Sequence, residues 1–226
     1  MTDFTTQRLN MVDSQIRPND VTDVRILQAM LDVPREEFVA ASLRPLAYMD
    51  DHLVVREALG LLPARALLSP MVFAKLIQFA RIEPMDLVLD VGCTTGYSTA
   101  VLARLAESVV ALEGDEALSE RASEALSAHD VDNAAVVTGT LAQGCPEQGP
   151  YDVIVIEGSI PEVGAHWREQ LREGGRLVTV VHAPGRAGVG RATRYTRRGD
   201  EMSYRVDFDA HAPALPGFEK PPVFAL

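Results

Sequence analysis

Between Leu87 and Val181 the sequence alternates short apolar runs with stretches of helical periodicity. The apolar runs have the length and β-branched content of buried parallel strands. They lie at residues 87–91, 109–113, 135–137, 153–156 and 177–181. Helical patterns follow the first two runs, at residues 97–107 and 116–129. Repeated strand–helix units of this kind predict a doubly wound α/β sheet.

The segment before this region has a different pattern. Apolar residues at helical spacing predict a helix from residue 22 to about 31, with Asp20 or Thr22 as its N-cap. A second amphipathic helix is expected at residues 70–81, where a proline occupies the first turn. Residues 35–69 combine prolines with mixed periodicity, so we expect short helices and loops there.

The last forty or so residues predict an antiparallel hairpin, because residues 192–197 and 203–208 flank a cluster of turn-forming residues. The proline-rich tail is still apolar, and we expect it to pack on the domain. The chain is therefore divided into an N-terminal helical and substrate-loop extension (1–75), a cofactor-binding α/β core (76–185), and a hairpin with its tail (186–226).

Composition restricts the partners and the compartment. The 226-residue chain carries a formal charge of −11 and has no cationic run, which disfavours binding to nucleic acid. No apolar stretch reaches the roughly 18 residues needed to cross a membrane, and the first residues lack a signal-peptide core. Cys93 and Cys145 have neither disulfide-framework nor metal-ligand spacing. We expect a soluble cytoplasmic protein without a metal, either a monomer or a homodimer.

A glycine turn follows the first strand of the α/β region. It reads Asp90-x-Gly92-x-Thr94-x-Gly96 and leads into a helix, whose N-terminal N–H groups are free to bind a ligand. Dinucleotide sites require G-x-G-x-x-G, and Thr94 occupies the middle glycine, which argues against NAD. An acid followed by a looser G-x-G-x-G is typical of methyltransferases that use S-adenosylmethionine. Glu113 ends the next strand, where a carboxylate can accept hydrogen bonds from ribose hydroxyls. The alternative is that the glycines only shape the turn and that Glu113 is solvated.

Several segments together give a more specific match. They are VPREEFV from Val33, Ala47-Tyr48, Ser69-Pro70, LVLDVGCTTGYSTAVLA from Leu87 and LREGGRLVTVV from Leu171. With these segments the chain resembles the protein-L-isoaspartate O-methyltransferase family from about Met11 to Val181.

The resemblance implies a Rossmann-like, seven-strand methyltransferase fold with S-adenosyl-L-methionine as cofactor. It also implies an activity, methylation of the side carboxylate of isoaspartyl residues in damaged proteins, which is protein repair. The acceptor is then a protein or peptide carboxylate. The cofactor-binding residues that it implies are Asp90, Gly92, Cys93, Thr94 and Gly96 in the glycine turn, Glu113 for the ribose, and Thr140 and Leu141 beside the adenine.

The substrate loop departs from the family pattern. The family typically has Thr-Ile-Ser-x-Pro, and alignment at Pro70 puts Ala66 and Leu68 where the two hydroxyl residues stand. Ser69 is our candidate catalytic residue, if the loop shifts by one position. A carboxylate acceptor is already ionised at pH 7 and needs no general base. The rate therefore depends mainly on how the carboxylate is positioned relative to the methyl group. We therefore expect cofactor binding to remain and isoaspartyl activity to be weak or absent.

Two other functions stay open: a non-catalytic protein that keeps the adenosylmethionine pocket as a sensor or scaffold, and a methyltransferase for a small molecule. The arrangement of residues 54–69 distinguishes catalysis from a scaffold function. Polar groups converging on the methyl would favour catalysis, whereas a site plugged by Leu67 and Leu68 would favour the scaffold.

Three charged residues near the expected site have two interpretations each. Arg56 and Arg65 lie in the divergent loop and are able to bind a carboxylate bidentately, or else only solubilise the surface. Glu157 follows the fourth strand at the edge where such sheets bind ligands, and faces either the site or solvent.

Overall fold

The computed structural model describes residues 3–60, 63–182 and 189–219. It begins with helix α1 (Phe4–Met11), which continues through a π-helical turn at Val12–Ile16 and a 3₁₀ turn at Arg17–Asn19. The buried side chains of Met11, Val12 and Ile16 join this segment to the main core.

Helix α2 spans Val24–Asp32, two residues later than the start expected from the sequence. Its N-cap is Asp23, whose carboxylate accepts the Arg25 N–H at 2.9 Å. The caps proposed above were therefore wrong. Asp20 adopts a positive φ of 64° at the end of the preceding turn, and its carbonyl accepts from the Gln78 side chain instead.

The region 35–69 contains the expected short helical turns, at Arg35–Phe38 and Arg44–Leu46, but also a hairpin that the sequence did not predict. Strand β1 (Leu53–Arg56) pairs antiparallel with strand β2 (Arg65–Leu67). These strands form a separate two-stranded sheet, which we call the β1–β2 hairpin.

Seven further strands form the central sheet. In chain order they are β3 (Leu87–Val91), β4 (Ser108–Glu113), β5 (Ala134–Thr138), β6 (Tyr151–Ile160), β7 (Leu171–Val181), β8 (Gly190–Arg198) and β9 (Glu201–Ala210). Their spatial order is β5-β4-β3-β6-β7-β8-β9. The first five strands in that order are parallel to one another. Strand β8 is antiparallel to β7, and β9 is antiparallel to β8. This confirms the predicted seven-strand α/β architecture with a C-terminal hairpin.

Four helices accompany the sheet. They are α3 (Pro70–Ala80), α4 (Tyr97–Ala103), α5 (Glu116–Ala128) and the short α6 (His166–Glu169). Helix α4 ends four residues before the predicted end at residue 107. The Asn133 side-chain amide donates to the Ala103 and Ala106 carbonyls there and so satisfies acceptors that a longer helix would use.

The segment after β9 returns to the sheet. The Ser159 N–H donates to the Pro213 carbonyl at 2.8 Å, and the Leu215 N–H donates to the Ser159 carbonyl at 3.1 Å. Leu215 is buried and Phe218 packs against the same core cluster, so the tail packs on the core as far as residue 218. Residues 220–226 lie outside the described residues. The division at residue 75 falls inside α3, and the three-part domain scheme stays a prediction.

Candidate cofactor site

The carboxyl ends of β3, β4 and β6 meet at one edge of the sheet. Strand β3 lies between β4 and β6, and the chain leaves it toward β4 and only later returns to form β6 on its other side. Ligands of such sheets bind in the crevice outside this switch point. Asp90, Gly92, Glu113 and Glu157 all lie at this edge, which we call the carboxyl edge.

The glycine turn after β3 has three residues at positive φ: Gly92 at +87°, Thr94 at +51° and Gly96 at +89°. A Cβ at Gly96 would lie 3.3 Å from the Ala122 backbone, so this glycine permits close packing of α5. Thr94 occupies a glycine position of the motif, and a β-branched residue is strained in this conformation. Its N–H donates to Glu113 Oε2 at 2.8 Å, which fixes the strained turn to the end of β4.

Asp90 is fully buried and ties the turn to α4. Its Oδ2 accepts hydrogen bonds from the hydroxyls of Ser98 and Thr99 at 2.8 and 2.7 Å. Its Oδ1 has no partner among the described residues. Burial, reinforced by the nearby charge of Glu113, raises the pKa of Asp90 to about 7.

Glu113 is the most heavily bonded carboxylate of the carboxyl edge. Besides Thr94, the backbone N–H groups of Gly114 and Asp115 donate to its Oε1, at 2.8 and 3.1 Å. The Arg65 guanidinium binds both of its oxygens, at 2.5 and 2.9 Å. Arg65 is 2% exposed and Glu113 is 0% exposed, so this is a buried ion pair. Glu113 is therefore not solvated, and its oxygens are already bound by the chain itself.

Arg56 and Arg65 both bind carboxylates, as the sequence allowed, but the carboxylates belong to this chain. Arg56 Nε lies 3.0 Å from Asp115 Oδ2, and Asp115 is also the N-cap of α5. The pairing could not be found from spacing, because 48 residues separate Arg65 from Glu113.

Leu215, from the segment after β9, also packs against the glycine turn. A Cβ at Gly92 would lie 3.0 Å from Leu215 Cδ2 and 3.2 Å from Arg65 Nη2. A Cβ at Gly158, on β6, would lie 2.6 Å from Leu215 Cγ. The backbone cradle offered by the two glycines is filled by Leu215 and Arg65.

A small cavity remains beside this cradle. Its volume is about 10 Å³, room for about one water molecule, whereas pockets for cofactor-sized ligands measure some hundreds of Å³. Ala66, Leu67 and Leu68 close one side. Polar groups converge on it from the other sides; they are Arg35, Thr94, Tyr97, Ser98 and Glu157.

Two of these polar groups are buried ionisable side chains that sequence reasoning weighed little or not at all. Glu157 is 7% exposed, and burial together with the nearby Asp90 raises the pKa of its carboxyl well above the usual range. Its Oε1, like the hydroxyls of Thr94 and Tyr97, has no hydrogen-bond partner among the described residues. Arg35 stacks on the Tyr97 ring at 4.6 Å and donates to the Leu68 carbonyl. No local pattern marks Arg35 as part of this cluster.

The other predicted cofactor residues lie at the margin. Cys93 packs against Ala111 and Ala122 between the sheet and α5, and burial raises the pKa of its thiol, so it is an unreactive packing residue. Thr140 is exposed and precedes a 3₁₀ turn at Leu141–Gln143. Leu141 is buried and faces Gly114, next to Glu113.

Ser69 is the N-cap residue of α3 and is buried. Its N–H donates to His52 Nδ1 at 3.0 Å, which leaves the proton of the neutral ring on Nε2. Nε2 then donates to the His211 carbonyl at 3.0 Å. His52 thus links the start of the β1–β2 hairpin, α3 and the C-terminal segment.

Among the described residues, no helix is long and apolar enough to cross a bilayer. In the same part of the chain, no three acids, histidines or cysteines come together in an arrangement suited to a metal ion.

Residues 6–209 match the family model described as "Protein-L-isoaspartate(D-aspartate) O-methyltransferase". The protein-L-isoaspartate O-methyltransferase of Koribacter versatilis is 37% identical over 184 residues, which is 81% of this chain and 80% of that protein. The enzyme of the same name from Roseiflexus castenholzii is 37% identical over 179 residues, 79% of each.

Two solved structures share the fold. A chain named protein-L-isoaspartate O-methyltransferase superposes with a TM-score of 0.79 at 24% identity, covering 95% of this chain and 66% of the other, longer one. A Plasmodium falciparum protein described as a putative member of the same group, in complex with S-adenosyl-L-homocysteine, superposes with a TM-score of 0.75 at 17% identity, covering 95% and 99%.

Proposed function

Because the chain belongs to the protein-L-isoaspartate(D-aspartate) O-methyltransferase family, we propose that it methylates a protein carboxylate with S-adenosylmethionine. The acceptor in this proposal is the side carboxylate of an isoaspartyl residue, and the reaction serves protein repair. The observation that carries the proposal is the set of acids and glycines at the carboxyl edge: Asp90, Gly92 and Glu113 lie at the ends of neighbouring parallel strands.

The residues present fit the cofactor. Gly92 and Gly158 place no Cβ at the carboxyl edge, so displacement of the Leu215 and Arg65 side chains would expose backbone to a ligand. Buried oxygens of Asp90, Thr94 and Glu157 have no partner among the described residues. Such a set suits a ligand with an amino-acid end and a ribose. When bound, S-adenosylmethionine supplies a methyl group on a positively charged sulfur.

Four residues of the chain have defined tasks in this proposal. Glu113 accepts hydrogen bonds from the ribose hydroxyls, and Gly92 lets the ligand approach the backbone. Asp90 holds the glycine turn against α4 through Ser98. Ser69 is the hydroxyl that holds the acceptor carboxylate in line. No side chain needs to remove a proton, since that carboxylate is ionised at pH 7.

We further propose that the protein works in the cytoplasm, as a monomer or a homodimer, on protein rather than on nucleic acid. Both cysteines are free and buried, which suits a reducing compartment. The net charge of −11 disfavours a polyanionic partner.

The test is transfer of labelled methyl from S-adenosylmethionine to an isoaspartyl peptide, with the same peptide containing ordinary aspartate as control. We expect label only in the isoaspartyl peptide, in a base-labile ester, and at a low rate because Ala66 and Leu68 replace the two hydroxyl residues of the family pattern. Ser69→Ala should lower kcat/KM by roughly ten- to a hundredfold, the value of a hydrogen bond to a charged group. Ser123→Ala is the matched control, because the Ser123 hydroxyl donates to the Ser119 carbonyl within α5. Absence of labelled ester with the wild-type protein would exclude this activity.

One observation favours a second candidate, a non-catalytic protein of the same family that acts as a sensor or scaffold. Ala66, Leu67 and Leu68 close the cavity, and Leu68 is a core residue that is 2% exposed. That is the arrangement expected of a plugged site. Binding of S-adenosylhomocysteine without methyl transfer to any carboxylate peptide would support this candidate.

A further inference from the structure

The β1–β2 hairpin presents two arginines side by side. Arg56 and Arg65 are directly opposite each other in the strand register. Like charges at such positions destabilise a hairpin. Here each cation has a carboxylate partner at the carboxyl end of β4 or just after it, since Arg65 binds Glu113 and Arg56 binds Asp115. The hairpin therefore depends on these two acids to neutralise its own charges.

Arg65 uses the same oxygens that a ribose would use. Three backbone N–H groups and the guanidinium together contact both oxygens of Glu113. Arg65 Nη2 also donates to the Gly92 carbonyl at 3.3 Å, so the guanidinium lies between the glycine turn and the acid. Glu113 is 0% exposed, so a ligand reaches its oxygens only after a neighbouring group moves away.

We propose that Arg65 is an internal competitor for the cofactor: a ribose binds Glu113 only when Arg65 leaves it, and its departure releases the β1–β2 hairpin. This inference rests on the proposed use of S-adenosylmethionine. Once Arg65 loses Glu113, it faces Arg56 without its counter-charge, so the two strands separate more readily. Cofactor binding is thereby coupled to opening of the segment that covers the cavity where an acceptor would enter.

The competition lowers apparent affinity, because only the fraction of molecules with Glu113 free binds the ligand. Removal of the guanidinium should therefore tighten binding. Loss of a charge-assisted bidentate pair should raise the ratio of molecules with Glu113 free to molecules with Glu113 bound to Arg65 by about ten- to a hundredfold. Arg65→Lys keeps the charge but loses the bidentate geometry, so its effect should lie between wild type and Arg65→Ala.

The experiment is calorimetric titration of S-adenosylhomocysteine into the full-length protein. We expect Arg65→Ala to lower the dissociation constant about ten- to a hundredfold, and Arg65→Lys to lower it less. Arg176→Ala is the matched control, because Arg176 also pairs with a buried acid, Asp86, but at the opposite end of β3. It should leave the dissociation constant unchanged. Equal or weaker binding by Arg65→Ala, or binding by no variant, would overturn the proposal.

Hydrogen exchange of the wild-type protein gives an independent measurement. Saturating S-adenosylhomocysteine should increase amide exchange in β2 (Arg65–Leu67) and leave exchange in β9 unchanged. Slower exchange in β2 would contradict release of the hairpin.

The same variants separate this inference from the proposed function. Tighter binding by Arg65→Ala without methyl transfer by any variant would support the competition and exclude the enzyme activity. Wild-type methyl transfer with equal affinities would leave the activity in place and exclude the competition.

Discussion

Truncation of Glu113 and truncation of Arg65 should have unequal effects on stability, although the two residues form one ion pair. Arg65→Ala leaves Glu113 with three backbone N–H donors, from Thr94, Gly114 and Asp115. Its charge stays satisfied, so the loss is that of charged hydrogen bonds, about 1.5–3 kcal/mol. Glu113→Ala instead leaves a guanidinium that is 2% exposed and whose one remaining acceptor among the described residues is the Gly92 carbonyl. An uncompensated buried charge costs about 3–5 kcal/mol.

Glu113→Ala also removes the acceptor for the strained Thr94 N–H, which adds to the loss. The two single variants should therefore differ by about 1–2 kcal/mol in free energy of unfolding, measured by urea denaturation at pH 7. The double variant should be less destabilised than the sum of the single ones, because it buries no unpaired charge. Equal single-variant losses, or a larger loss for Arg65→Ala, would refute this description of the pair.

Three further substitutions test the carboxyl edge. Thr94→Gly should raise the free energy of unfolding by about 1 kcal/mol in urea denaturation, because relief of strain outweighs the extra chain entropy; a loss would show that the turn is not strained. The pKa of Asp90 is raised from 3.8 to about 7, so the folded state binds more protons than the unfolded state between those values, and stability falls as pH rises through them. Asp90→Asn should reduce the slope of the free energy of unfolding against pH, by at most about 1.4 kcal/mol per pH unit. Replacement of the exposed Asp132 should leave that slope unchanged. An unchanged slope in Asp90→Asn would contradict the raised pKa of Asp90. Gly158→Ala should cost about 1–3 kcal/mol in the same assay, since its Cβ would lie 2.6 Å from Leu215 Cγ, and a neutral effect would mean that the C-terminal segment is held loosely.

The sequence predicted the central sheet well, because buried parallel strands are continuous apolar runs and leave a strong local signal. The glycine turn was equally visible, since its conformation depends on residues adjacent in the chain. Gly92 and Gly96 do adopt the positive φ values for which glycine is suited, and Thr94 shares that conformation although it is not glycine.

The β1–β2 hairpin was missed for a physical reason. Its strands have four and three residues, too few to establish an alternation, and they lie in a proline-containing segment. Arg56 and Arg65 hold the strands to acids that lie 59 and 48 residues further along the chain, and such an interaction leaves no local pattern. Leu215, which covers the glycine cradle from the end of the chain, was invisible for the same reason.

A crystal structure of the 226-residue chain with S-adenosylhomocysteine tests the central claim most directly. We predict that the ligand lies at the carboxyl edge, with its ribose on Glu113 and with Arg65 displaced from that carboxylate. A ligand bound elsewhere, or bound at this edge with the Arg65–Glu113 pair intact, would contradict the account.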